Sequence, residues 1–220
     1  MSSPTYKTLL SPHESVLVLI DHQPRMMAGG SSGEREALRN NVAGLARTAR
    51  AFGVPTVLTG IAPEEFGGTL FGELTDVFGD RRVICRTLIN AWADKRVRDA
   101  VLATGRRQIV IAGLWSEVGV VLPALSALEE GREVYVVADA SGGTSAEAHQ
   151  LGLQRITQAG GVPLTWLQLL GEFQRDWAGE ETHAAVEAIL HAHGGAWGRG
   201  VRIGRGDRGG AARGTERDAS

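Results

Sequence analysis

Six strand-like runs alternate with segments of helical periodicity along this chain, and that alternation limits its fold more than any other feature. Val16–Ile20 is apolar at every position and rich in β-branched residues, as a strand buried on both faces must be. Val54–Thr59, Arg82–Arg86, Gln108–Gly113, Glu133–Ala138 and Val162–Thr165 read as the other five strands. Between them, Glu34–Phe52 repeats apolar residues at spacings of three and four (Leu38, Val42, Leu45, Ala46, Ala49). Asp94–Thr104, Glu117–Glu130 and Ser145–Ala159 are further helices. Gly53, Gly105, Gly131 and Gly160 follow these four helices as stop signals. Helices near Leu167–Arg175 and Glu180–Ala192 close the series. The pattern predicts an α/β three-layer sandwich: a six-stranded, mostly parallel sheet with helices on both faces.

Ligands of such sheets bind outside the carboxyl ends of the strands, near the point where strand order reverses. Asp21, Thr59, Arg86 and the segment after Gly113 lie at predicted strand ends. A carboxylate there needs a cation or hydrogen-bond donors, and Arg86 is the natural partner of Asp21. Such a pair is either a structural salt bridge or part of a site for a polar or anionic substrate. Ala112–Val120 runs from a strand into a helix, so its N–H groups could cradle an anion or an oxyanion, or form a plain turn.

Composition removes several function classes. The 220 residues carry a net charge of −2, which disfavours electrostatic binding of nucleic acid. No run of apolar residues is long enough for a membrane span, and no secretory leader is visible, so a cytoplasmic protein is expected. Cys85 is the one cysteine, so no disulfide framework forms. Residues 194–220 hold nine glycines and six arginines and few large apolar residues. They read as a flexible tail, or one ordered on a neighbouring subunit, after a domain over 1–193.

An ordered set of motifs carries a resemblance. Leu19-Ile20-Asp21-His22-Gln23, Arg86-Thr87-Leu88-Ile89-Asn90-Ala91-Trp92 and Ala112-Gly113-x-x-Ser116-Glu117-Val118 are its first members. Pro123-Ala124-Leu125, Ala138-Asp139-Ala140-Ser141-Gly142 and Arg175-Asp176-Trp177 complete it. Together they resemble the isochorismatase-like hydrolases, with their Rossmann-like fold, and most of all the YcaC-like branch of cysteine hydrolases, over residues 5–195. In that family a cysteine attacks an amide-like carbonyl, an aspartate takes the thiol proton, and a cation orients the site. The resemblance implies Asp21 as the acid and Arg86 as the cation. It implies an oxyanion hole at Trp115, Ser116 and position 119, with a cis peptide between Trp115 and Ser116. His22, Gln23, Asn90 and Trp92 are expected to line the substrate pocket.

Position 119, where the family has its nucleophile, is glycine. Cys85 is not expected to replace it, because neighbours on a strand face opposite ways and Arg86 takes the crevice side. Four readings follow. The chain is a degenerate cysteine hydrolase of unknown substrate, or a non-catalytic binding or assembly protein. Alternatively Asp21 acts as an acid on an isochorismate-like vinyl ether, as in relatives that also carry glycine there. Last, the glycine was introduced to disarm the enzyme. No cofactor is expected, and no metal: His191 and His193 do not share a helix face, and Thr59–Glu64 lacks the metal motif of the nicotinamidase relatives. His149 reads as a surface or interface residue. The expected partners are a small-molecule substrate and copies of the chain itself, in a homo-oligomer that the resemblance extends to an octamer; nucleic acid and membrane are not expected.

Overall fold

A computed structural model describes residues 9–30, 33–62, 68–177 and 180–199. Six strands form one sheet in the order β3-β2-β1-β4-β5-β6, and every neighbouring pair is parallel. They are β1 (Ser15–Ile20), β2 (Thr56–Ile61), β3 (Val83–Arg86), β4 (Gln108–Gly113), β5 (Glu133–Val137) and β6 (Val162–Leu164). The chain builds outward from β1 to β3, then returns to pair β4 against β1. The strand order therefore reverses between β1 and β4, and the crevice of the sheet opens there.

Alternation along the central strands divides the apolar residues between two layers. Leu17 and Leu19 of β1, with Val110 and Ala112 of β4, pack on one side with Leu45, Trp166 and Leu170. Those three come from α2 (Arg35–Ala51) and α7 (Trp166–Gln174), and α8 (Glu180–His193) adds Val186 and Leu190. Val16, Val18 and Ile20 pack on the other with Val97, Val121 and Ile156. Those come from α4 (Lys95–Leu102), α5 (Val121–Glu129) and α6 (Ala146–Gln158). The three-layer architecture is the one the sequence pattern predicts.

The differences are at the ends of elements. Gly53, Gly105, Gly131 and Gly160 all take positive φ and stop their helices as expected. β2 begins two residues later than predicted, because Pro55 has no N–H and the ladder to β1 starts at Thr56. The predicted helix over 117–130 is split into a π turn at Ser116–Val120 followed by α5. Two short helices, α1 (Pro24–Ala28) and α3 (Gly72–Phe78), escape the sequence reading, since five and seven residues hold too little periodicity to detect. Beyond α8, Trp197 stacks on Trp177 with ring centroids 6.4 Å apart. The rest of the expected tail, from residue 200, lies outside the described residues. Among the described residues, no helix is long and apolar enough to cross a membrane.

Candidate functional site

The site begins where β1 stops. Asp21 takes φ +58°, in the left-handed region that aspartate tolerates better than most residues. Its N–H still bonds Thr59 O at 3.0 Å, so the chain leaves the sheet with the carboxylate pointed across the strand ends. Arg86, the last residue of β3, meets it: Nη2 donates to Asp21 Oδ2 at 2.5 Å, and both side chains are buried. Arg86 Nη1 donates to the carbonyls of Leu88 (2.5 Å) and Ile89 (3.1 Å). The predicted pair therefore forms, and its guanidinium is held within the protein.

Asp21 Oδ1 is buried and has no hydrogen-bond partner. The Ile61 N–H, which bonds Gln23 Oε1 at 3.2 Å, is the smallest of the influences that favour the ionised carboxylate. Burial raises the pKa of Asp21 above the usual carboxylate value, and Arg86 opposes that rise by its charge and hydrogen bond.

Asp21 lies on the wall of a chamber of about 380 Å³, within the size range of small-molecule sites. The other walls are Met26 of α1, Ile61 of β2, Ile89 after β3, Leu114 and Trp115 after β4, and Val118 and Gly119 of the π turn. Trp115 is anchored by its indole N–H, which donates to Met26 O at 2.9 Å. A β-carbon on residue 119 would lie 3.7 Å from Asp21 Oδ2, so the aspartate and the position where the resemblance expects a nucleophile are neighbours. It would also lie 2.4 Å from Leu114 O. Only glycine permits that approach, and a cysteine at 119 would have to push the Leu114 carbonyl aside.

Other expectations need correction. The cis peptide joins Leu114 to Trp115, one bond earlier than expected. The Trp115 carbonyl is needed to start the turn, where it accepts from Val118 N (3.0 Å) and Gly119 N (2.5 Å). Ser116 N donates to Gly142 O at 2.9 Å. The N–H groups of Ser116 and Gly119, expected in an oxyanion hole, are thus used within the protein.

The four expected pocket residues also lie off the chamber wall. His22 is fully buried; its Nε2 bonds Ala140 O at 2.9 Å and its ring packs edge-on to Phe71. Burial lowers its pKa to about 4, so it is neutral. Gln23 clamps the end of β2 to the following loop, donating to Ile61 O and Gly68 O. Asn90 accepts from Trp92 N and donates to Ser126 Oγ at 2.9 Å, capping a short 3₁₀ turn. Trp92 lies in the core layer that packs on α4 and α5.

Cys85 is half-buried, because β3 is the edge strand and less is packed on it. His149, read as a surface residue, is half-buried and shares a 2.7 Å hydrogen bond with Ser116 Oγ. It borders a second, smaller cavity of about 190 Å³ with Asp139 and Gly142, which shares Leu114 with the chamber but does not reach Asp21. Among the described residues, no three His, Cys, Asp or Glu side chains are placed to hold a metal ion.

Met26, Ile61, Ile89 and Val118 were missed by sequence reading. Ile61 is an apolar residue at a strand end, and Ile89 and Val118 lie within the quoted motifs, signals that were available. Met26 carried none.

Comparison with known proteins agrees with this fold. The family model described as the isochorismatase domain matches residues 15–168. A protein described as probable hydrolase YcaC, from Escherichia coli (strain K12), is 38% identical over 169 residues, which is 76% of this chain and 81% of that protein. Among solved structures, YcaC from Pseudomonas aeruginosa, with hexane-2,5-diol and covalent acrylamide, superposes with a TM-score of 0.86 at 35% identity. That match covers 92% of this chain and 100% of the other. The E. coli YcaC structure, described as an octameric hydrolase of unknown specificity, gives 0.86 at 34% identity over 93% of this chain and 99% of that one.

Proposed function

The chain belongs to the isochorismatase family, and we propose that it is a hydrolase-like member that works without a cysteine nucleophile. The observation that carries this reading is Asp21: a buried carboxylate with one oxygen, Oδ1, that has no hydrogen-bond partner, on the wall of an apolar chamber that Gly119 also lines. Burial raises the pKa of Asp21 and so makes it a stronger base than an ordinary aspartate, while the charge and hydrogen bond of Arg86 favour its ionised form. In the proposed reaction Asp21 takes a proton from a water molecule as the water oxygen attacks the substrate carbonyl carbon. The C–N or C–O bond of the substrate breaks, and the proton passes from Asp21 to the leaving nitrogen or oxygen. No acyl-enzyme forms, because Gly119 offers no atom to carry it.

Asp21→Asn, with its fold checked by circular dichroism, is expected to hydrolyse p-nitrophenyl acetate about 10²–10⁴-fold more slowly than the wild type, the usual worth of a positioned base. Cys85→Ala should leave the rate unchanged. Equal rates in Asp21→Asn and wild type would remove the catalytic reading and leave a binding role for the same chamber. Acid-catalysed cleavage of an isochorismate-like vinyl ether ranks behind. It needs a cation exposed to hold the substrate carboxylate, and Arg86 has no exposed side-chain surface, with Nη1 and Nη2 bonded to Leu88 O, Ile89 O and Asp21.

We also propose that the protein is a cytoplasmic homo-oligomer, an octamer after the E. coli relative. Leu88, Ile89 and Leu151 are large apolar side chains about half exposed, as an unassembled protomer would show. Light scattering should give a multiple of the chain mass; a monomer would end this part of the proposal.

A further inference from the structure

The smaller cavity, bordered by His149, takes no part in the reaction proposed for Asp21. The two ring nitrogens of His149 have separate tasks. Ser116 is 1% exposed, and its hydroxyl pairs only with His149 Nδ1, at 2.7 Å. A buried hydroxyl proton needs an acceptor, so Ser116 Oγ donates to Nδ1 and His149 carries its own proton on Nε2. Burial lowers the pKa of His149, which keeps the ring neutral at neutral pH. Nε2 bonds no other residue and is accessible.

Asp139 lines the same cavity. Its Oδ1 accepts from Trp166 N at 2.9 Å, while Oδ2 bonds no other residue and is accessible. Burial raises the pKa of Asp139, and no cationic side chain opposes that rise. Arg35 also lines the cavity; Nη2 donates to Ala28 O at 3.1 Å, and Nε and Nη1 bond no other residue. Asn41 and Ser141, by contrast, use their polar atoms within the protein. The groups left for an occupant are thus an anionic acceptor, Asp139 Oδ2, a neutral donor, His149 Nε2–H, and a cationic donor, Arg35.

Charge and size narrow that occupant. A molecule with only a carboxylate would meet Arg35 but also two acids, Asp139 and its neighbour on the wall, Glu34. One with only an ammonium group would meet Asp139 and leave His149 Nε2–H and Arg35 without an acceptor. A zwitterion satisfies both sets, and Met27 and Leu114 give it apolar wall to pack on. At about 190 Å³ the cavity is smaller than the sites of drug-sized ligands.

We propose that this cavity is a second binding site, for a small zwitterionic amino acid whose ammonium group meets Asp139 and whose carboxylate meets His149 Nε2–H and Arg35. The site adjoins the chamber through Leu114, and the His149–Ser116 bond ties it to the π turn that carries Gly119. It stands independently of the reaction proposed for Asp21.

Calorimetric titration of the full chain at neutral pH with L-alanine, ethylammonium and propionate tests it. Ethylammonium lacks the carboxylate of alanine, and propionate lacks its ammonium group. Alanine is expected to bind at least about tenfold more tightly than either, the scale of one charge-assisted hydrogen bond. Arg35 is exposed, so Arg35→Gln should fold normally and bring alanine down toward ethylammonium. Asp139→Asn keeps an oxygen for Trp166 N and should bring alanine down toward propionate. Either single-charged compound binding as tightly as alanine would overturn the proposal. So would a Kd for alanine weaker than about 10 mM, less than 3 kcal/mol of binding. An alanine affinity unchanged by Arg35→Gln, or by a folded Asp139→Asn, would place the binding elsewhere and overturn it too.

Discussion

Arg86→Met is expected to destabilise the folded chain by about 3–5 kcal/mol at neutral pH, the cost of removing one partner from a buried ion pair. Asp21 would keep its place with 3% of its surface exposed and lose the cation that offsets its desolvation. The carbonyls of Leu88 and Ile89 would lose their donor at the same time. The loss should be read by urea denaturation. It should shrink in the double variant Asp21→Leu/Arg86→Met, which removes the stranded carboxylate, although the two carbonyls stay unpaired. Arg86→Lys keeps the charge but not the fork that reaches Asp21 and two carbonyls at once, so it should fall between. A stability for Arg86→Met within about 1 kcal/mol of wild type, the range of an exposed pair, would show that the ion pair is not what holds the strand ends together.

Stability should also fall by about 3 kcal/mol between pH 6.5 and pH 4 on account of His22 alone. Its folded pKa is held near 4 by complete burial, against 6.5 when unfolded, and each unit of difference is worth about 1.4 kcal/mol. The unfolded chain binds the proton first as pH drops, so the contribution is complete above 6.5 and lost progressively down to 4. Asp21 and Asp139 work in the opposite sense. Burial raises both, so the folded chain binds their protons first and they favour the fold as pH falls toward the ordinary carboxylate range. The clean readout is therefore the slope of unfolding free energy against pH in wild type minus that in His22→Gln. Identical slopes would mean that His22 takes up its proton equally in the folded and the unfolded chain.

Much of the scaffold was legible because burial repeats locally. The all-apolar Val16–Ile20 can only be a strand covered on both faces, and the four-residue rhythm ending at Gly53 can only cover one of them. The meeting of Asp21 and Arg86 was legible too, since two opposite charges at parallel strand ends have nowhere cheaper to go. Elsewhere, residue type and motif position misled. His22, Gln23, Asn90 and Trp92 are the right kinds of residue for a pocket and sit near the right strand ends. Three of them were claimed by backbone groups and capping bonds, and Trp92 by the core.

The sequence by itself determined the layers, the direction of the strands and the two charges at their ends, because periodicity and unpaired charge act over a few residues or one strand length. Only the tertiary structure decided which donors remained free and which walls surround Asp21. The His22 partner, Ala140, lies 118 residues away, and the chamber draws on segments that follow three strands, on the end of a fourth and on one short helix. A hydrogen bond is settled by the partner that arrives first at the right distance and angle, and that competition takes place only once the whole chain has folded.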